Sequence, residues 1–278
     1  MPRKTRPKRW ALFVEGTKTL TPHRRTELVE LWHELVSKVS NLSTKLVDVH
    51  GFTKLQLVAM GDDSQSSPVA SGDSQKIPLD AVIASTHQRE PFDILVVAFD
   101  AHPANQRLQP TKHGKLASAT VFRPCQVDEV AFVLHQFANS RILPDEFKLE
   151  SASMLERYQQ QPKSAPRGKG RPPRGLLDLL YMDPEFEALV TSDDAAVRAV
   201  FSFPKKPKDW PTLPPKMQRP KDVLRSIVDG CRRYGPTHLR DTFDRHPHAW
   251  AREIVRKAPM TSKIWSHPIA SRLGLLLG

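Results

Sequence analysis

The chain has 278 residues, 39% of them hydrophobic, and carries 42 Lys/Arg against 30 Asp/Glu for a net charge of +12. That is length for one large domain or two small ones, and no apolar run approaches the roughly 20 residues a membrane helix needs. Two isolated cysteines, Cys125 and Cys231, exclude a CxxC metal site and a disulfide framework and suit a reducing, cytoplasmic compartment.

The basic start, MPRKTRPKRW, precedes an apolar stretch too short for a signal peptide, Ala11 to Val14. That stretch, with Trp10, predicts a short buried strand ending at Glu15-Gly16. TLTPHRRTELVELWHELVSKVS predicts a helix, with Thr21 as cap and Pro22 at its first position. Leu28, Leu31, Trp32, Leu35 and Val39 share one face of it. Lys45 to His50 predicts a second strand closed by Gly51, and Thr53 to Met60 a short helix or strand. Residues 61–75, polar and rich in Ser and Gly, predict a loop; Asp62 and Asp63 there read as solvent-facing. Leu79 to Gln88 predicts a helix and Phe92 to Phe99 the strongest strand. Ala119 to Arg123 reads as a fourth strand and Val127 to Asn139 as a helix with Val130, Val133, Leu134 and Phe137 inward. Strands alternating with helices predict an α/β fold with a mostly parallel sheet flanked by helices. The unbroken run ILVVAF suits a strand buried on both faces.

From Pro162 the character changes. PKSAPRGKGRPPRG has five Lys/Arg, four Pro, three Gly and no acid, which reads as a linker or a segment that touches phosphate through Lys163, Arg167, Lys169, Arg171 and Arg174. Beyond it the pattern predicts a Pro-rich, mainly helical part. Its short helices fall at Gly175 to Tyr181, Pro184 to Thr191, Asp194 to Phe201, Lys221 to Tyr234, Pro236 to Phe243, His248 to Lys257 and Ile269 to Leu277. KKPKDW adds Lys205, Lys206 and Lys208, with Trp210 as a stacking platform for a base or a plain break. Residues 11–150 hold 14 basic and 17 acidic groups, whereas residues 151–278 hold 23 and 13. A neutral-to-acidic body flanked by basic segments points to a polyanion partner, nucleic acid above all, or simply to colloidal solubility.

Two predicted strands end in an acid: WALFVEG in Glu15 and ILVVAFDAH in Asp100. In open α/β sheets function gathers at the carboxyl ends of strands. If these strands are neighbours, both carboxylates meet at one edge, where they repel unless a cation or proton lies between them. Mg²⁺ is held by oxygen ligands, often one or two carboxylates, and a metal so held activates water and neutralises a phosphodiester transition state. Each acid also has a plainer reading, as a strand-end hydrogen-bond acceptor or turn cap.

RWALFVEGTKT resembles the glutamate motif, and DILVVAFDAHP the DxD motif, of the Toprim domain shared by topoisomerases, primases and overcoming-lysogenization-defect nucleases. The resemblance spans about residues 9–140 and extends to small stand-alone Toprim-like proteins of bacterial anti-phage defence. It implies a Toprim-like domain over 9–150, after a basic arm at 1–8 and before a basic linker at 151–174 and a helical region at 175–278. It implies a metal-dependent nuclease using Mg²⁺ or Mn²⁺ on DNA or RNA, with Glu15 and Asp100 as ligands or acid/base groups. The second DxD acid is His102 here, a ligand that suits softer ions better than Mg²⁺, or a proton carrier. Asp128 or Glu129 would complete the metal set; at the head of a helix either also suits the helix dipole.

The alternative is a catalytically degenerate Toprim-like subunit that binds nucleic acid or a partner protein in a larger defence complex. A nucleotide sensor fits less well, because neither GxGxxG nor GxxxxGK[ST] occurs. His246 and His248 read as packing or surface residues. Cys125 opens a predicted helix, where a thiolate is stabilised, but no Cys-His signature surrounds it.

Overall fold

The computed structural model describes residues 8–16, 27–40, 44–53, 56–57, 59–60, 77–100, 107–110, 116–119, 129–160, 175–182, 186–193, 195–197 and 247–277. In chain order its main elements are β1 (Trp10–Glu15), α1 (Glu27–Val39), β2 (Val47–Phe52), α2 (Leu79–Arg89), β3 (Ile94–Asp100), β4 (Arg107–Pro110) and β5 (Leu116–Ala119). There follow α3 (Glu129–Ala138), α4 (Asp145–Gln160), β6 (Leu177–Met182), α5 (Glu187–Val190), α6 (Pro247–Lys257) and α7 (Pro268–Leu277). No helix among the described residues is long and apolar enough to cross a membrane.

The apolar runs WALFVE, VDVHGF, ILVVAFD and LDLLYM form one parallel sheet in the order β2-β1-β3-β6. Its interior strands β1 and β3 are buried through Ala11–Val14 and Ile94–Phe99, which is why their sequences do not alternate. Alternate residues still divide between the faces. Ala11, Phe13, Phe52, Leu95, Val97, Phe99, Leu177 and Leu179 share one hydrophobic cluster with Leu79 and Ile83 of α2, Val133, Leu134 and Phe137 of α3, and Phe147 of α4. Aromatic pairs tighten it: Phe92 stacks on Phe147 with centroids 5.5 Å apart, and Phe99 meets Tyr181 edge-on at 5.4 Å. Each large apolar side chain buried there contributes about 1.5–3 kcal/mol.

Polar contacts fix the strand ends. At the amino end, the Arg9 guanidinium lies 2.8 Å from Asp48 and 3.5 Å from Glu90, while its backbone N–H donates to Asp93 Oδ2 at 2.8 Å. At the carboxyl end of β2, the Thr53 N–H donates to Gln56 Oε1 at 2.9 Å and the Gln56 N–H to Thr53 Oγ1 at 3.4 Å. This is a capping box. Gln56 is buried, so Gln56→Ala is expected to cost about 0.5–2 kcal/mol in chemical denaturation.

The chain divides into two units, residues 1–18 with 45–181 and residues 19–44 with 182–278. In the second, α1 packs on α6 and α7, with Leu28, Leu31, Trp32, Leu35, Trp250, Ile254 and Leu273 buried. Trp32 lies 5.0 Å from Phe186, centroid to centroid. A Cβ added to Gly274 of α7 would stand 3.2 Å from the Val39 carbonyl oxygen. Gly274→Val is therefore expected to destabilise this unit by about 1–3 kcal/mol through overpacking, read as a lower melting temperature.

Four expectations are corrected. Gly175 to Tyr181 is not helical: Leu177–Met182 is the fourth strand of the sheet. Ala119 to Arg123 does not add a fourth parallel strand; strand β5 ends at Ala119 and pairs with β4 as an antiparallel ribbon in its own sheet. Strand β2 is not closed by Gly51 but runs to Phe52. Residues 151–160, expected in the linker, continue helix α4. Helices α1, α2, α3, α6 and α7 lie where the periodicity placed them, while Thr21, Pro22, residues 61–75 and residues 221–243 are outside the described residues.

Candidate functional site

Strands β1 and β3 pair directly and in parallel, from Trp10↔Ile94 to Val14↔Ala98. Glu15 and Asp100 therefore end adjacent strands at the same carboxyl edge, both half-buried. Glu15 Oε2 accepts a hydrogen bond from the Asp100 backbone N–H at 3.2 Å. The β1–β3 ladder stops at Val14↔Ala98, so the carboxylate satisfies a donor the ladder leaves behind. On the other side of β1, the Gly16 N–H donates to the Phe52 carbonyl at 2.9 Å. The turn after Glu15 is thus tied to β2 while its side chain is tied to β3.

The two acids approach from different faces. By the two-residue period of a strand, Glu15 follows Ala11 and Phe13 on the face covered by α2, α3 and α4. Asp100 follows Val96 and Ala98 on the opposite one. The hydrogen bond carries the Glu15 carboxylate to the edge, the one place where the two faces meet. A hard divalent cation suits such oxygen donors. Beside the edge, His50 of β2 stacks on Phe13 with centroids 4.9 Å apart. The sequence offered only the alternation VDVH as a signal for it, and its ring serves the packing of the two strands.

Of the other residues singled out, Glu129 begins α3. His102, Asp128, Asp62, Asp63, Cys125, Trp210 and His246 lie outside the described residues, as do the side chains of Glu129 and His248. So do Lys163, Arg167, Lys169, Arg171, Arg174, Lys205, Lys206 and Lys208. Among the described residues no group of three or more His, Cys, Asp or Glu is arranged to hold a metal.

A buried acid that the sequence reading passed over lies elsewhere in the same unit. Asp80, in the first turn of α2, accepts from Ser140 Oγ at 2.8 Å, and Ser140 Oγ accepts from the Leu143 N–H at 3.2 Å. Burial pushes the Asp80 carboxyl above its ordinary value, against the hydrogen bonds from Ser140 and Ala81. It joins α2 to the turn between α3 and α4. No protein-family model, curated protein or solved structure matches the chain.

Proposed function

We propose that the chain is a metal-dependent, Toprim-like nuclease that cleaves phosphodiester bonds in DNA or RNA, with a role in bacterial anti-phage defence. One observation supports this above all: Glu15 and Asp100, from motifs 85 residues apart, end neighbouring parallel strands with Glu15 Oε2 3.2 Å from the Asp100 nitrogen. The donor chemistry at this edge fits Mg²⁺ or Mn²⁺. Glu15 and Asp100 would hold the cation, with His102 as a further ligand or proton carrier and Asp128 or Glu129 completing the set. A bound divalent cation supplies charge neutralisation at the phosphodiester and a more acidic water. The fold's own contribution is rigidity: buried strands, a turn at Gly16 and a hydrogen bond across the strand ends hold the two carboxylates in place.

Cleavage of labelled single- and double-stranded DNA and RNA with Mg²⁺, Mn²⁺ or EDTA tests this. Metal-dependent cleavage supports the nuclease; none with any metal overturns it. His102 in place of an acid favours a second reading, a degenerate Toprim-like subunit that binds nucleic acid or a partner protein. Salt-sensitive binding without cleavage would support that one.

A further inference from the structure

The chain makes an excursion directly after Asp100. Arg107–Pro110 and Leu116–Ala119 pair as an antiparallel ribbon, in register from Arg107↔Ala119 to Pro110↔Leu116, in a sheet separate from the parallel one. The 27 residues between Asp100 and Asp128 hold four Lys/Arg (Arg107, Lys112, Lys115 and Arg123) and no acid. The rest of residues 11–150 holds 10 basic groups against 17 acidic ones. The sign of the charge thus inverts within this interval, which the topology attaches to the edge that carries Asp100. Seven residues separate Asp100 from Arg107, so the start of β4 lies within about 25 Å of the acid. That length of duplex carries about 15 phosphates.

We propose that the β4–β5 ribbon, with the basic residues of its interval, is the contact that holds the phosphate backbone of a nucleic acid against the Glu15–Asp100 edge. The proposal rests on the reading of that edge as a nucleic-acid site and names its binding element. A two-stranded ribbon is also one of the two elements that a duplex major groove admits. Basic side chains inserted beside an acidic edge offset the repulsion that the carboxylates exert on a polyanion. This assigns binding to the ribbon rather than to the linker cations from Lys163 to Arg174.

The test is fluorescence anisotropy of a labelled DNA duplex with the full chain in EDTA across a salt series. Three forms are compared: wild type, Arg107→Ala/Lys112→Ala/Lys115→Ala, and a variant with Lys163, Arg167, Lys169, Arg171 and Arg174 all changed to alanine. The ribbon variant is expected to bind at least tenfold more weakly at low salt, with the slope of log K against log salt shallower by about 2–3. Arginines at 112 and 115 with Arg107 intact are expected to bind as wild type, which separates lost charge from lost folding. Ribbon variants that bind as wild type, or a wild type that binds no duplex, overturn the proposal. If no metal supports cleavage while the ribbon variant still loses binding, the nuclease reading falls and the ribbon assignment stands.

Discussion

Asp100→Ala is expected to lower metal-dependent cleavage by roughly 10³-fold or more, with little change in melting temperature. Asp100 is half-buried at the end of a strand, so its truncation opens no core cavity. A metal ligand at a reacting phosphodiester is worth several kcal/mol, and each 1.36 kcal/mol is a factor of ten in rate. Glu15 needs a subtler comparison, because its Oε2 also accepts from the Asp100 N–H. Glu15→Gln keeps a carbonyl acceptor for that bond and removes the charge. It is expected to fold as wild type and lose cleavage as Asp100→Ala does. Glu15→Ala loses both, with about 1 kcal/mol of stability going with the hydrogen bond. Full cleavage by Glu15→Gln would reduce Glu15 to a strand-end tie.

Asp193→Ala is expected to destabilise the second unit by about 2–4 kcal/mol, the largest stability effect outside the apolar core. One oxygen, Oδ1, accepts from the N–H groups of Ala195 and Ala196 at 3.0 and 3.3 Å, an N-cap arrangement. The other, Oδ2, accepts from Ser262 Oγ at 2.6 Å and from the Lys263 N–H at 3.0 Å. One carboxylate thus joins positions 69 residues apart. Asn preserves a single oxygen and is expected to recover part of the loss.

The pH dependence follows from the same bonds. Burial raises the Asp193 carboxyl, but the hydrogen bonds from Ser262, Lys263, Ala196 and Ala195 outweigh it and hold the group below its ordinary 3.8. Its stabilisation is therefore complete above pH 3.8 and lost as pH falls through the depressed folded value. Burial also holds His267 below its ordinary 6.5. Its Nδ1 accepts from the Ile269 N–H at 3.3 Å, which a protonated ring cannot do. The unfolded chain takes up that proton first, so stability falls as pH drops below 6.5. Asp80 in the first unit has the opposite sign: its raised folded value makes acidification stabilising until the carboxyl is protonated. Acid titration followed by circular dichroism and hydrogen exchange is expected to show unit two opening before unit one. Loss of unit one first would contradict these assignments.

Much of the architecture was written locally in the chain. Periodic apolar faces determined α1, α2, α3, α6 and α7, and unbroken Val, Ile, Leu and Phe runs determined β1 and β3. Acids at the ends of those two strands pointed to one sheet edge, because parallel neighbours bring their carboxyl ends together. LDLLYM was misread because leucine favours helix and the Gly/Pro-rich stretch before it resembles a domain boundary. Its six residues, bounded by Gly175 and Pro184, are of strand length, but only a neighbour at β3 could decide the matter. The Thr53–Gln56 box, the Asp80–Ser140 pair and the Asp193–Ser262 pair span from 3 to 69 residues, and the longer two leave no local pattern. Sequence alone determined which segments are strands or helices and which acids end them, since those properties depend on near neighbours along the chain. Tertiary structure decided that β6 completes the sheet and that the Glu15 carboxylate reaches the Asp100 nitrogen, since both require groups distant in sequence to meet.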